Sequence, residues 1–223
     1  MDGARAQTIE INNLSVRLGG KSIIDDLSLS LSPGEKVALT GPSGSGKSTV
    51  LRCVLGFVQP SAGTIRIDGR PLTSDSIWEV RTRLAYVGQE PELGRGRVRE
   101  LLDQAFTYHA NTHLKRNRAR APELLERFLL SPRILEEEIT TLSGGEKQRV
   151  AIVAAILLDR RLFLLDEASS ALDKESRQAV VDFFRAGDDL TVLSVAHDLD
   201  GFAVADRTVA LPAGAGASKQ RQE

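Results

Sequence analysis

Apolar and polar residues alternate along the beginning of the chain, with the two-residue period of a strand that buries one face. The alternation covers residues 8–18 with one irregularity, and it resumes over residues 23–31 after a glycine pair that favours a turn. A second turn leads into a short apolar run at residues 37–39, where the alternation stops. This pattern predicts an N-terminal antiparallel β-subdomain followed by a buried strand.

Further along the chain, apolar positions follow strand and helix periods in turn. Residues 150–158 are apolar all round, which predicts a buried helix, and residues 162–165 form the continuous apolar run of a central parallel strand. The other predicted elements are helices at residues 48–58 and 173–185, and strands at 64–67, 84–87, 190–195 and 209–211. Such alternation predicts an α/β fold with a parallel sheet flanked by helices.

Residues 90–140 differ in sequence pattern from the segments before and after them, because an irregular loop precedes two predicted helices at 98–108 and 122–130. We therefore predict one domain over residues 1–211, in which a helical subdomain (90–140) interrupts a core formed by 1–89 and 141–211. The basic stretch at 113–120 fits a solvated face better than a nucleic-acid patch. The composition of residues 212–223 predicts a disordered tail.

Composition narrows the classes of function. The 223 residues are 41% hydrophobic and 26% charged with a formal net charge of −1, so no general attraction to nucleic acid is expected. Cys53 is the only cysteine, which excludes an internal disulfide and a cysteine metal cluster and fits a cytoplasmic location. No apolar run reaches the roughly 18 residues that span a bilayer. If the protein serves a membrane process, we expect it to act peripherally, from the cytoplasmic face.

A phosphate-binding loop lies between the predicted strand at 37–39 and the predicted helix at 48–58. It has the spacing G-x-x-x-x-G-K-[ST] and comprises Gly41, Pro42, Ser43, Gly44, Ser45, Gly46, Lys47, Ser48 and Thr49. The glycines let backbone N–H groups turn towards a phosphate chain at a helix N-terminus. Lys47 is expected to reach the β- and γ-phosphates, and the Ser48 hydroxyl is expected to hold Mg²⁺. The loop predicts a nucleoside triphosphate as ligand.

Acidic and basic side chains follow two other predicted parallel strands. Asp166 and Glu167 come directly after residues 162–165, and His197 comes after residues 190–195. Because ligands bind at the carboxyl ends of parallel strands, these groups are expected to meet the phosphate loop. Asp166 is expected to hold Mg²⁺ through water, Glu167 to act as general base, and His197 to orient the attacking water or bind the γ-phosphate.

Residues 142–149, Leu-Ser-Gly-Gly-Glu-Lys-Gln-Arg, resemble the signature segment of the ATP-binding-cassette (ABC) ATPases. The rest of that family's pattern matches in order: the phosphate loop, Gln89, the signature, residues 162–167, the segment Ser-Ala-Leu-Asp at 170–173, and His197. The resemblance covers residues 8–211 and implies a P-loop NTPase fold, with a RecA-like parallel sheet, that binds ATP and Mg²⁺ and hydrolyses ATP.

The resemblance also implies a head-to-tail homodimer with ATP between the two copies. Ser143, Gly144 and Gly145 of one copy are expected to meet the γ-phosphate that Lys47 of the other copy holds. Two glycines are a costly way to open a helix if Ser143 serves only as a cap, which favours this use. Gln89 is expected to bind Mg²⁺ or the water and to link the site to the helical subdomain. Asp173 is expected to contact the opposing copy.

One position departs from the family pattern. Members of the family usually stack the adenine on an aromatic residue near the end of the first strand, and Leu18 stands there in this chain. Base–aromatic stacking contributes roughly 1–3 kcal/mol, so we expect weaker adenine binding and less selectivity against GTP. Arg17 is a possible substitute, although strand alternation points it to the other face.

The sequence alone does not decide which process ATP hydrolysis drives. The resemblance favours the energising subunit of a transporter with separately encoded integral membrane permeases, whose loop would enter a groove near residues 89–101. A looser likeness to the bacterial Fet-type ATPases implies iron export. Two alternatives are a soluble ATPase of macromolecular or iron–sulfur assembly and a small-molecule P-loop kinase, although a kinase has no use for Gln89 or the signature.

Overall fold

Nine strands form two sheets in the computed structural model, which describes residues 8–196 and 204–212. In chain order, the strands are β1 (Ile9–Leu18), β2 (Lys21–Leu31), β3 (Lys36–Thr40), β4 (Ala62–Ile67), β5 (Arg70–Pro71), β6 (Leu84–Val87), β7 (Leu162–Asp166), β8 (Thr191–Val195) and β9 (Arg207–Ala210). The first sheet is antiparallel with the order β2-β1-β4-β5, and the second has the order β6-β7-β8-β3-β9 with every pair parallel. This is the predicted combination of an antiparallel N-terminal sheet and a parallel core.

Within the described residues, six α-helices lie between these strands. They are α1 (Lys47–Val54), α2 (Ile77–Arg81), α3 (Val98–Gln104), α4 (Ala121–Arg127), α5 (Gly144–Leu157) and α6 (Lys174–Ala186). Three 3₁₀ segments, His109–Arg120, Pro132–Glu136 and Ile139–Thr141, complete the mainly helical region between β6 and β7. None of the helices in the described part of the chain has the length and hydrophobicity needed to cross a bilayer.

Strand β7 joins the two halves of the hydrophobic core. Leu162 and Leu164 face a cluster that includes the antiparallel sheet and α1, whereas Phe163 and Leu165 face a cluster that includes α3, α4, α5 and α6. All five residues of β7 are buried. A strand covered on both faces cannot show alternation, which explains why its sequence reads as one apolar run.

The structure shortens three predicted helices, and the one predicted over residues 122–130 ends at Arg127 as α4. Helix α1 ends at Val54 rather than at residue 58, because Gly56 takes a left-handed φ of 68° and any Cβ there would lie 2.4 Å from Ile77. The helix predicted over residues 98–108 ends at Gln104, whose carbonyl accepts the Thr107 hydroxyl at 2.8 Å. Turns therefore replace the last helical residues, held by backbone hydrogen bonds after α1 and also by the Thr107 side chain after α3.

Two short elements were not predicted. Helix α2 has five residues and β5 has two, and both are too short to show a hydrophobic period. Strand β4 also begins at Ala62, two residues before the predicted start at residue 64. In the basic stretch, Arg118 pairs with Asp103 and Arg120 with Asp159 on the surface, so these cations have intramolecular partners.

Candidate active site

The phosphate loop follows β3 and runs into α1. Gly41, Gly44 and Gly46 have φ values of 137°, 78° and 94°, which L side chains rarely adopt. A Cβ at Gly41 would lie 2.5 Å from the Leu211 carbonyl oxygen, whereas one at Gly44 would meet nothing within 4 Å. Gly46 caps α1 without a side-chain hydrogen bond, so the first turn keeps its N–H groups available. A loop with these properties fits a phosphate chain.

Lys47 is held inside this loop. Its side chain is buried, and Nζ donates to the carbonyl oxygens of Gly41 at 2.8 Å and Pro42 at 3.1 Å. An ammonium group has three donors, so two of them orient the cation and one is left for a ligand. The loop therefore fixes a positive charge where a phosphate would lie.

Ser48 and Asp166 meet across 118 residues of sequence. The Ser48 hydroxyl donates to Asp166 Oδ1 at 2.9 Å, and Asp166 ends the buried central strand β7. Oxygen ligands suit Mg²⁺, which keeps waters and uses few protein groups. Within the described residues no group of three or more His, Cys, Asp or Glu side chains forms a metal cage. These two oxygens fit Mg²⁺ only together with phosphate and water oxygens.

Gln89 and Glu167 lie at the ends of neighbouring strands. Gln89 Nε2 donates to Glu167 Oε2 at 2.8 Å, because β6 and β7 pair in parallel and each ends just before one of these residues. Glu167 has a left-handed φ of 50°, which is uncommon for a non-glycine residue. Asp166 bonds to Ser48 whereas Glu167 bonds to Gln89, so the two adjacent acids have different partners and can have different roles.

The signature segment begins α5. Ser143 caps the helix in a capping box with Glu146, in which its backbone N–H and hydroxyl donate to Glu146 Oε2 at 2.9 and 2.7 Å. These bonds, led by the hydroxyl, hold the pKa of Glu146 below its ordinary value. A Cβ at Gly144 would meet nothing within 4 Å. Within the described chain Ser143 is a helix cap, and nothing there requires glycine at position 144.

The remaining predicted site residues lie apart from this cluster. Asp173 caps α6 and accepts from the Ser176 amide at 2.9 Å and hydroxyl at 2.8 Å, which lowers its pKa. Leu18 ends β1 with 47% of its surface exposed. No described hydrogen bond joins Ser143 or Asp173 to Lys47. His197 lies outside the described residues.

Sequence reasoning missed two residues next to the cluster. Gln148 of α5 donates from Nε2 to the Gly88 carbonyl at 3.1 Å, and the Tyr86 phenol lies over Gly88. Gln148 lies in the polar stretch 146–149 before the apolar run of α5, and no side-chain pattern there distinguishes it from its neighbours. The capping box is also predictable from the sequence, because serine at position 143 and glutamate at position 146 are three residues apart.

Sequence comparison decides the family. The family model described as ABC transporter matches residues 24–170, most of the chain, including the phosphate loop, the signature and the acidic pair. The chain belongs to the ABC transporter ATPase family. Its members bind and hydrolyse ATP, so the enzymatic class expected from the sequence is confirmed for this ABC ATPase.

Individual relatives support the same assignment. The energy-coupling factor transporter ATP-binding protein EcfA1 of Lactiplantibacillus plantarum is 36% identical over 193 residues, which cover 84% of this ABC ATPase and 68% of EcfA1. The dimeric bacterial ABC transporter cassette MJ0796 superposes with a TM-score of 0.82 at 27% identity and covers 92% of this chain and 95% of its own. The fold of cbiO1 from Clostridium perfringens, part of the ABC transporter complex cbiONQ, is also similar, with a TM-score of 0.78 at 22% identity over 92% of this chain and 85% of its own.

Proposed function

We propose that this ABC ATPase is the ATP-hydrolysing subunit of a transporter, and that two copies close head to tail around ATP to drive a separate permease. The single observation that carries the hydrolytic role is the pair of bonds Ser48–Asp166 and Gln89–Glu167 at the ends of adjacent strands. The names of EcfA1 and of the cbiONQ component support a transporter ATPase, and the dimeric MJ0796 cassette supports the paired arrangement. We place the protein on the cytoplasmic face of the membrane.

In this proposal, the phosphate loop binds the triphosphate and polarises it. Lys47 contacts the β- and γ-phosphates with the donor that the loop carbonyls leave available. Ser48 and Asp166 hold Mg²⁺ together with phosphate oxygens and water. When bound there, Mg²⁺ would supply positive charge to offset the charge that develops on the phosphates.

Glu167 is the proposed general base. Its carboxylate accepts from Gln89, which holds it at the end of β7 beside the phosphate loop. From there Glu167 takes the proton of the attacking water. We propose that His197 orients that water. Gln89 is proposed to transmit movement of the helical subdomain to Glu167 through the Gln89–Glu167 hydrogen bond.

The second copy supplies the other half of each site. The N-terminus of α5 carries Ser143 and the space above Gly144, where no described atom lies close. Backbone N–H groups at such a terminus attract a phosphate, and the absence of a Cβ lets it approach closely. Asp173, at the start of α6, is proposed to contact the phosphate loop of the opposing copy.

A groove of about 830 Å³ beside Gln89 fits a permease loop. Its walls come from α1, β6, α3, α5 and the segment after Gln89, and its lining includes Arg52, Glu90, Leu93 and Leu101 as well as Ser48 and Asp166. Mixed apolar and charged walls suit a short amphipathic segment. A bound permease loop would contact Gly88, the residue before Gln89. Movement of that loop would therefore reach the Glu167 carboxylate through the Gln89–Glu167 hydrogen bond.

The name of EcfA1 favours a transporter of the energy-coupling-factor type, and neither EcfA1 nor cbiO1 supports iron export. A Fet-type cargo therefore remains only a prediction from the looser sequence likeness. The soluble assembly ATPase is the competing function, and no contact in the described chain favours it.

Partner capture tests the proposal. We would purify tagged Glu167→Gln protein from detergent-solubilised cells with ATP and identify its partners by mass spectrometry, with Lys47→Ala as the matched control that is expected not to bind nucleotide. We expect a stoichiometric polytopic membrane protein with Glu167→Gln. Soluble partners alone would favour the assembly ATPase instead.

A further inference from the structure

Gln148 is a buried amide at the start of α5. The residue is 1% exposed, and its Nε2 donates to the carbonyl oxygen of Gly88 at 3.1 Å. Its Oε1 atom is also buried and has no hydrogen-bond partner within the described part of the protein. Leaving a buried acceptor unpaired costs free energy, so an apolar residue of the same size would serve packing alone at least as well. The amide therefore needs a reason other than packing.

The hydrogen bond fixes one peptide plane. The carbonyl of Gly88 belongs to the same planar peptide as the N–H of Gln89, so the Gln148 amide sets the orientation of the unit that precedes Gln89. The direction of the Gln89 side chain follows from that plane. Gln89 Nε2 then reaches Glu167 Oε2 at 2.8 Å. A continuous path of contacts thus runs from α5 to the proposed general base.

Gly88 makes such an anchor necessary. A Cβ at this position would lie 3.2 Å from the phenol oxygen of Tyr86 and 3.5 Å from its ring, so glycine makes room for that side chain. Tyr86 in turn lines the groove together with Ser48 and Asp166. Glycine lacks the steric restraint that would hold its own backbone in place. An external hydrogen bond on its carbonyl supplies that restraint.

We propose that Gln148 is a positioning residue that aligns Gln89 with Glu167 and so connects the signature helix to the hydrolytic carboxylate. The inference depends on the proposed function, because it takes Glu167 as general base. Ser143 begins the same helix five residues earlier, so a phosphate bound at its N-terminus would displace the Gln148 amide as well. Movement of α5 would then change the Gln89–Glu167 contact directly.

The alternative is an ordinary structural hydrogen bond, and the chain offers a matched control for it. Asn117 is buried and donates from Nδ2 to the carbonyl of Leu157 at 3.0 Å, at the opposite end of α5. Asn117→Leu and Gln148→Met each remove one buried amide-to-backbone bond to or from the same helix. A structural role predicts similar effects of both variants, whereas a positioning role separates them.

We would measure steady-state ATP turnover, affinity for a fluorescent ATP analogue and melting temperature for both variants. For Gln148→Met we expect kcat to fall about 10- to 100-fold, as for a misplaced catalytic group, with little change in nucleotide affinity. Asn117→Leu is expected to keep its kcat, whatever change in melting temperature the loss of its hydrogen bond causes. Equal kcat in the two variants would overturn the inference.

Two further measurements test whether Gln148 acts on Glu167 through Gln89. In a Gln89→Ala background, Gln148→Met should add no further loss, because residues that act through one contact are not additive. Amide hydrogen exchange without nucleotide should accelerate in the peptide covering residues 84–93 for Gln148→Met and not for Asn117→Leu. Full additivity, or unchanged exchange in that peptide, would also contradict the inference. Full turnover by Glu167→Gln would instead contradict the proposed function itself.

Discussion

The amide of Gln89 donates to the carboxylate of Glu167 at 2.8 Å, although 78 residues separate the two in sequence. The bond exists because β6 and β7 are adjacent parallel strands that end at the same edge of the sheet. Gln89 also borders the groove, whose lining includes Ser48 and Asp166. One side chain therefore contacts the proposed general base and the surface where a permease would bind.

Replacing Glu167 by Gln should stop turnover without preventing ATP binding. The amide keeps the size of the side chain but cannot accept the proton of the attacking water, and loss of a general base costs about 10²- to 10⁴-fold in rate. Phosphate release and nucleotide affinity would be measured on the same preparation. Turnover near the wild-type rate would exclude Glu167 as the base.

Replacing Lys47 by Ala should abolish nucleotide binding, because the buried ammonium group of the phosphate loop is removed. Lys36→Ala is the matched control: Lys36 is also buried, and its Nζ donates to the Gly34 carbonyl at 3.0 Å, away from the loop. Equilibrium titration with a fluorescent ATP analogue should show a large loss for the first variant and near wild-type affinity for the second. Equal affinities would contradict the role of Lys47.

Replacing Glu146 by Ala should destabilise the protein at neutral pH but not in acid. The Ser143 hydroxyl, and then its backbone N–H, donate to the carboxylate and lower the pKa of Glu146 below 4.5. A lowered folded-state pKa means that the stabilisation is present above the unfolded pKa and is lost as pH falls through the folded pKa. The difference in free energy of unfolding between the two proteins, measured in urea from pH 7 to pH 3, should therefore begin to shrink near pH 4.5 and vanish below the folded-state pKa of Glu146.

A control separates this effect from a general charge effect. Glu123 lies in the first turn of α4, where the capping residue Arg120 makes no side-chain capping bond. Glu123→Ala should change stability less than Glu146→Ala at pH 7. A constant difference between wild type and Glu146→Ala over the whole pH range would show that the capping box does not depend on the charge.

The sequence predicts the parts of the site that obey a spacing rule or a strand pattern. The phosphate loop has a fixed spacing, and Asp166 is recognisable because it follows the continuous apolar run of β7. Helix α2 and the early end of α1 were not predictable, since five residues show no period and the left-handed φ of Gly56 depends on tertiary packing that leaves no room there for a Cβ. Gln148 was missed because its partner is a backbone carbonyl 60 residues away, which no side-chain pattern reveals.

Replacing Leu18 by Tyr should increase affinity for ATP. Leu18 ends β1 with 47% of its surface exposed, so an aromatic ring fits there without repacking the core. Stacking of a base on an aromatic ring contributes roughly 1–3 kcal/mol, so ATP affinity should rise about tenfold, and selectivity over GTP should rise with it. Titrations with both nucleotides would measure the two effects. Arg17→Tyr is the matched control, since strand alternation turns the adjacent residue to the other face of the sheet. An equal gain from both variants would show that the base does not lie on the Leu18 side of β1.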